Sequence, residues 1–220
     1  MSKASCSNAY YFLTISILPQ KEGLDVVNII RKISDLLVDC PSATKIIHKF
    51  KISAEARMIA MVEVSDIAGL ERILLSIWKL GPVEIDSQPI ILYETFAKNM
   101  KIANDLCKPS SCSLAKEGIY WLEFNIEYHG RTFDEFLEIW KKEAETVLTR
   151  RSKGEASLEL FKCLAQRKVH VMFNTTDPAQ LDLLSFQLPI MVENGVNIRV
   201  KSKGVQYLDD YVQSMRSVKL

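Results

Sequence analysis

One order of periodicities occurs twice in this chain: strand, helix, strand, strand, helix, strand, repeated at offsets of 108 to 111 residues. A βαββαβ order constrains a chain strongly. Four antiparallel strands with both helices on one face is the arrangement that buries two amphipathic helices against one sheet. In the first copy, Tyr10–Leu18 is rich in aromatic and β-branched residues and stops at Pro19, as a strand does. Val26, Ile29, Ile30, Ile33 and Leu37 then recur at helical spacing. Strands are expected at Lys45–Ile52 and Met58–Val64. Asp66 is placed to cap a helix whose stripe is Leu70, Ile73, Leu74 and Ile77, and a last strand is expected at Ile90–Thr95.

The second copy replays the series. Tyr120–Glu127 reads as a strand, and Thr132 with Glu135 forms a capping box ahead of Phe136, Leu137, Trp140, Ala144 and Val147. Strands follow at Ser157–Leu164 and Lys168–Asn174. Asp177-Pro178 then opens a helix carrying Leu181, Leu184 and Leu188, with Pro189 at its exit and a closing strand at Val196–Val200. Tyr11-Phe12-Leu13 corresponds to Tyr120-Trp121-Leu122 at an offset of 109, and Asp66–Glu71 to Asp177–Asp182 at 111. The expected organisation is a first ferredoxin-like repeat over 9–97, a linker over 98–117, a second repeat over 118–203 and a tail over 204–220.

Strand parity predicts how two such copies associate. Leu122, Phe124 and Ile126 share one face of their strand, and Trp121, Glu123 and Asn125 the other, joined by His170 and Met172. That second face is too apolar for water and too polar for a dry core. Packing the open faces of the two copies together would cover both. The fold class expected is therefore α+β: two tandem ferredoxin-like βαββαβ units forming an intramolecular α/β barrel, a monomeric pseudo-dimer with an internal pseudo-two-fold axis.

Composition narrows the setting. Lys and Arg balance Asp and Glu in both halves, 13 against 12 over 1–110 and 15 against 15 over 111–220, which gives no electrostatic footprint for nucleic acid. No apolar run reaches the length of a membrane span, the N-terminus lacks a secretory pattern, and the five cysteines are odd in number. A cytoplasmic protein with reduced thiols is expected, without nucleic-acid or membrane partners. Cys107 and Cys112 form a lone CxxxxC pair with no second ligand pair for zinc, and His48, His129 and His170 fall in different elements, so neither a metal site nor a cofactor is expected.

The run Val169-His170-Val171-Met172-Phe173-Asn174-Thr175-Thr176-Asp177-Pro178-Ala179-Gln180-Leu181, followed by Leu188-Pro189-Ile190 and Asn197-Ile198-Arg199-Val200, resembles the muconolactone-isomerase-like group of dimeric α/β barrel proteins. Trp140-Lys141-Lys142-Glu143 is similar in rhythm to that family's first helix, and the resemblance covers 120–200. It implies the barrel fold and a superfamily of isomerases, polyketide cyclases, small monooxygenases and haem-handling proteins. The position of the family's strand arginine is Lys162 here, a departure that weakens the transfer of isomerase activity.

Candidate chemistry centres on a few residues. His48, on the parity of Ile46 and Phe50, is expected to face the helices, where an imidazole could act as acid, base or carbonyl donor; a satisfied core histidine explains it equally. Tyr11 and Tyr93 are candidates to line the same cavity as phenolic donors, or are simple core aromatics. Glu123 and His170 could meet across the open face as an acid–base pair, the carboxylate favouring the imidazolium, or as a hydrogen bond between the copies. Trp121 and Trp140 are candidate walls of an apolar pocket. The leading expectation is a cofactor-free isomerase or cyclase with His48, Glu123 and His170 as catalytic groups and Tyr11, Tyr93, Trp121 and Trp140 binding a hydrophobic small molecule. The alternatives are a non-catalytic hydrophobic ligand-binding or scaffold protein, and a haem- or oxygen-handling enzyme.

Overall fold

The computed structural model describes residues 8–19, 23–40, 42–109 and 114–216. They form a mixed α+β chain that divides into two compact units: residues up to Ile90 together with those from Val205, and Ile91–Gly204.

The first unit contains β1 (Ala9–Ile17), α1 (Val26–Leu36), β2 (Thr44–Ile52), β3 (Arg57–Val64), α2 (Ile67–Trp78) and most of β4 (Val83–Leu92). Its strands run β4-β1-β3-β2, with Leu13 opposite Ala60 and Ile15 opposite both Met58 and Ile85. Asp25 and Asp66 accept bonds from Asn28 and Ala68 at the starts of α1 and α2, as the short polar side chains of N-caps do. Leu13, Ile15, Met58, Ala60 and Val62 of the sheet pack against Ile30 and Ile33 of α1 and Leu70, Leu74 and Ile77 of α2. Gly69 lets α2 approach the chain ahead of β2, since a Cβ there would lie 2.1 Å from that of Ala43.

The second unit contains α3 (Tyr93–Asn99), β5 (Ile119–Ile126), α4 (Phe133–Ser152), β6 (Ser157–Cys163), β7 (Lys168–Asn174), α5 (Gln180–Gln187), α6 (Pro189–Asn194) and most of β8 (Ile198–Tyr207). Its strands run β8-β5-β7-β6, the same order by position as in the first unit. The capping box of α4 is complete: Glu135 N–H donates to Thr132, and Thr132 N–H donates to Glu135.

Several boundaries differ from those read in sequence. The strand placed at Ile90–Thr95 is β4, Val83–Leu92, because the alternation resumes directly after Gly81-Pro82, and Tyr93 instead begins α3. The segment after 204 is no tail: β8 runs to Tyr207, and α7 (Leu208–Arg216) buries Leu208 and Val212. The single helix expected up to Pro189 is two. Pro189, which cannot continue α5, sits instead at the first position of α6, where its missing N–H costs nothing. Cys6 and Cys112 lie outside the described residues, while Cys40, Cys107 and Cys163 are free thiols.

Each unit also takes in the helix that follows the last strand of the other: α7 belongs to the first and α3 to the second. Both helices carry the same contact. Lys51 Nζ donates to the carbonyls of Ile52, at 2.6 Å, and Glu55, and lies 5.2 Å from the ring of Tyr211 on α7. Lys162 Nζ donates to the carbonyls of Cys163, at 2.6 Å, and Gln166, and lies 5.2 Å from the ring of Phe96 on α3. Between those carbonyls the chain turns through a left-handed residue, Ala54 with φ 58° and Ala165 with φ 53°, again 111 residues apart. Lys162 is thus a structural donor that closes a turn. Replacing Lys51 or Lys162 by Met removes the donor from two carbonyls in each turn. Each variant is expected to lose on the order of 2 kcal/mol, read as matching falls in urea midpoint.

Candidate functional site

The second unit encloses a cavity of about 60 Å³ between its sheet and its helices. Leu122, Phe124 and Ile126 of β5, Leu158 and Leu160 of β6 and Val169, Val171 and Phe173 of β7 form the floor. They come from alternate positions of neighbouring strands, as parity requires. Trp140, Glu143 and Val147 of α4, Leu184 of α5, Leu188 and Ile190 form the roof, and Tyr93 of α3 completes the lining. Its polar side chains are Tyr93, Trp140 and Glu143.

Glu143 is the residue that the sequence reading passed over. It lies four residues after Ile139, three after Trp140 and four before Val147, so its helical position is within the apolar stripe; an ionisable group in such a stripe is the signal that could have found it. Its Oε2 accepts the N–H of Ile190 at 3.1 Å, the first free donor of α6 after Pro189. Burial pushes its carboxyl up to about 7, against the opposing pull of that N–H and of Arg150. Tyr93 accepts a hydrogen bond from Trp140 Nε1 at 3.2 Å, and burial, followed by the charge of Glu143, drives its phenol well above the usual range.

A second cleft of about 280 Å³ adjoins the cavity and shares Val147, Leu158, Phe173, Leu184 and Leu188 with it. Those side chains are the wall between the two spaces. Part of that wall hangs from α5, a two-turn helix that buries none of its residues, has no side-chain cap, and leaves Phe186 76% exposed.

The other candidates are placed elsewhere. His48 does not face the helices. A bulge between Ile46 and His48 inserts one residue and reverses the parity beyond it. Ile46 packs toward the helices, and Lys49 reaches Ser34 and Leu37 of α1, while His48 stacks on Phe50 at 5.6 Å on the opposite face. Tyr11 packs into the first unit's core, so Tyr11, Tyr93 and His48 share no cavity.

Glu123 and His170 are direct cross-strand partners, as parity predicted, yet the imidazolium expected of the pair is not favoured. His170 is 1% exposed, and burial outweighs the attraction of Glu123, lowering its pKa to about 4. Its Nδ1 accepts from Trp121 Nε1 at 3.2 Å, while Glu123 faces Lys168 at 3.4 Å and Lys201 at 3.5 Å. Trp121 is therefore the orienting partner of a neutral histidine rather than a pocket wall; Trp140 does line the cavity. His129 is exposed in its turn. No group of three metal-ligating side chains occurs among the described residues, and none of their helices is long and apolar enough to cross a membrane.

Glu143 and His170 shape the pH dependence of stability in opposite senses. The folded protein holds the Glu143 proton up to about pH 7, whereas an ordinary carboxyl releases it near 4.5, so stability falls as pH rises through that interval. The folded protein keeps His170 neutral down to about pH 4, whereas an ordinary imidazole protonates near 6.5, so stability falls as pH drops between them. Each contribution is on the order of 3 kcal/mol, and the two slopes offset where the intervals overlap. Urea midpoints measured across that range should show Glu143→Gln losing stability mainly on acidification and His170→Gln mainly on alkalinisation.

No family model and no curated protein matches this chain in sequence. Solved structures do match in fold. A putative chlorite dismutase is 13% identical, with 95% of this chain and 100% of the other covered and a TM-score of 0.58. The chlorite dismutase of Candidatus Nitrospira defluvii in complex with imidazole is 10% identical over 94% of each chain, at a TM-score of 0.56. A mutant of the same enzyme is 10% identical over 94% of each chain, at 0.58. Neighbours of this kind overturn the cofactor-free isomerase or cyclase reading. At such identities the likeness concerns the fold alone: this chain has a fold like that of these chlorite dismutases.

Proposed function

We propose that this protein binds a small apolar molecule in the cavity of its second unit, on a fold made of two tandem ferredoxin-like copies. The observation that carries the reading is the lining itself: twelve of its fifteen residues are Leu, Ile, Val or Phe, enclosing a space left unfilled in an otherwise close-packed core. A cavity of about 60 Å³ is small for a ligand, whereas its union with the adjoining cleft of about 280 Å³ reaches the usual size of a binding pocket. Outward movement of α5 would join them, and that helix has little buried surface to hold it. The repeated strand order and the repeated lysine-closed turns support the tandem arrangement. The resemblance of residues 120–200 to the muconolactone-isomerase-like group rests on packing and turn motifs and supports the fold only.

Haem handling is the second reading, favoured by the fold of the neighbours. The residues of this cavity do not suit haem. No histidine, cysteine or methionine lines it, and Tyr93, the one phenol, is held firmly protonated by its surroundings. His170 points its Nδ1 lone pair at Trp121, which places the remaining proton on Nε2 and leaves neither nitrogen a ready ligand.

The two readings separate in one pair of titrations on the intact protein. Toluene, followed by calorimetry, is expected to bind saturably at one site, and Leu158→Trp, which fills the cavity, should weaken it at least tenfold while circular dichroism stays unchanged. Haemin, followed in the Soret region, should give no saturable one-to-one complex. A tight haem complex with no toluene binding would reverse the assignment.

A further inference from the structure

We infer that the molecule held in this cavity carries a neutral hydroxyl on an apolar frame, a compact alcohol or phenol read jointly by Tyr93 and Glu143. The inference rests on the cavity-binding reading above and adds the chemistry of the ligand. The hydrogen-bond inventory of the lining decides it. Glu143 spends Oε2 on the N–H of Ile190, and no hydrogen bond to Oε1 occurs among the described residues. The oxygen of Tyr93 accepts from Trp140 Nε1, which leaves its own O–H to donate. The pair are close enough for the charge of Glu143 to act on the phenol, yet they make no hydrogen bond to each other. Where Glu143 is ionised, above about pH 7, the cavity thus presents one unused donor and one unused acceptor in surroundings where an unmade hydrogen bond is costly.

A hydroxyl satisfies both, accepting from Tyr93 and donating to Glu143. An ammonium, a ketone, a carboxylate and an alkyl group satisfy one at best. An ammonium has nothing to accept the Tyr93 proton, and a ketone has nothing to donate to Glu143. A carboxylate would bring a second negative charge beside Glu143 in a desolvated space. An alkyl group would leave both protein groups unpaired.

Four probes on one ring test this on the intact protein: methylcyclohexane, cyclohexanol, cyclohexylamine and cyclohexanecarboxylate, each titrated by calorimetry at pH 7.5. Cyclohexanol is expected to bind at least tenfold tighter than the other three. Tyr93→Phe, which removes only the phenolic oxygen, should erase most of that preference while leaving methylcyclohexane affinity within a factor of two or three. Glu143→Leu should do the same, with retained methylcyclohexane binding reporting that its cavity is intact. Equal binding of cyclohexanol and methylcyclohexane, or tightest binding of the amine or the carboxylate, would overturn the hydroxyl inference and leave the cavity-binding reading standing. Binding of none of the four by protein with a cooperative unfolding transition would overturn both.

Discussion

In both units of this protein a helix from beyond the unit's main run of chain completes the apolar cluster on the helix-facing side of the sheet. In the first, Leu208 and Val212 of α7 enter the cluster built by α1, α2 and the strands. In the second, Tyr93, Ala97 and Met100 from α3 and the turn after it join the cluster of α4 and its sheet. At roughly 25 cal/mol per Å² of apolar surface buried, a helix that covers several such side chains is a substantial part of the stability of a small unit. Each of these helices follows the last strand of the other unit. Completing either core therefore depends on chain from beyond the unit's main run of residues. Buried Arg151, 2.5 Å from Glu94 and bonded also to the carbonyl of Lys108, fixes α3 further against α4.

The cavity follows from how α3 meets α4. Tyr93 comes to Trp140 from α3, and Glu143 one turn farther along α4 is committed to the start of α6. A carboxylate at a helix start is favourable through the helix dipole, but burial opposes the charge, and the balance leaves Glu143 able to hold a proton near neutrality. A protein interior that keeps a carboxyl, a phenol and an indole around an unfilled space loses packing there. Binding a ligand that restores both the contacts and the hydrogen bonds would recover that loss.

Much of the secondary structure was legible because it rests on local signals. The Thr132–Glu135 capping box, the Asp66 cap and the alternation in β5 and β7 each involve residues a few positions apart. The caps and strand centres of the two halves recur in sequence at nearly constant offsets, and the lysine-closed turns at Lys51 and Lys162 share the spacing. The candidate site was far less legible. Glu143 was visible as a charge in an apolar stripe, but nothing nearby in sequence announces that Ile190 would bind one of its oxygens and leave the other without a hydrogen bond.

By itself, the sequence determined the class of fold, since period-2 and period-3.6 patterns in a βαββαβ order admit few arrangements that bury every apolar face. It also determined which residues of β5 and β7 share a face, because alternation sets the face. Tertiary structure alone decided three things. A single bulged residue reversed the face of His48, and strand parity carries no warning of an insertion. Burial, rather than the neighbouring carboxylate, set the charge of His170, because desolvation depends on everything packed around the ring. The helices α3 and α7 fell to the second and the first unit, where each adds apolar side chains to the core cluster.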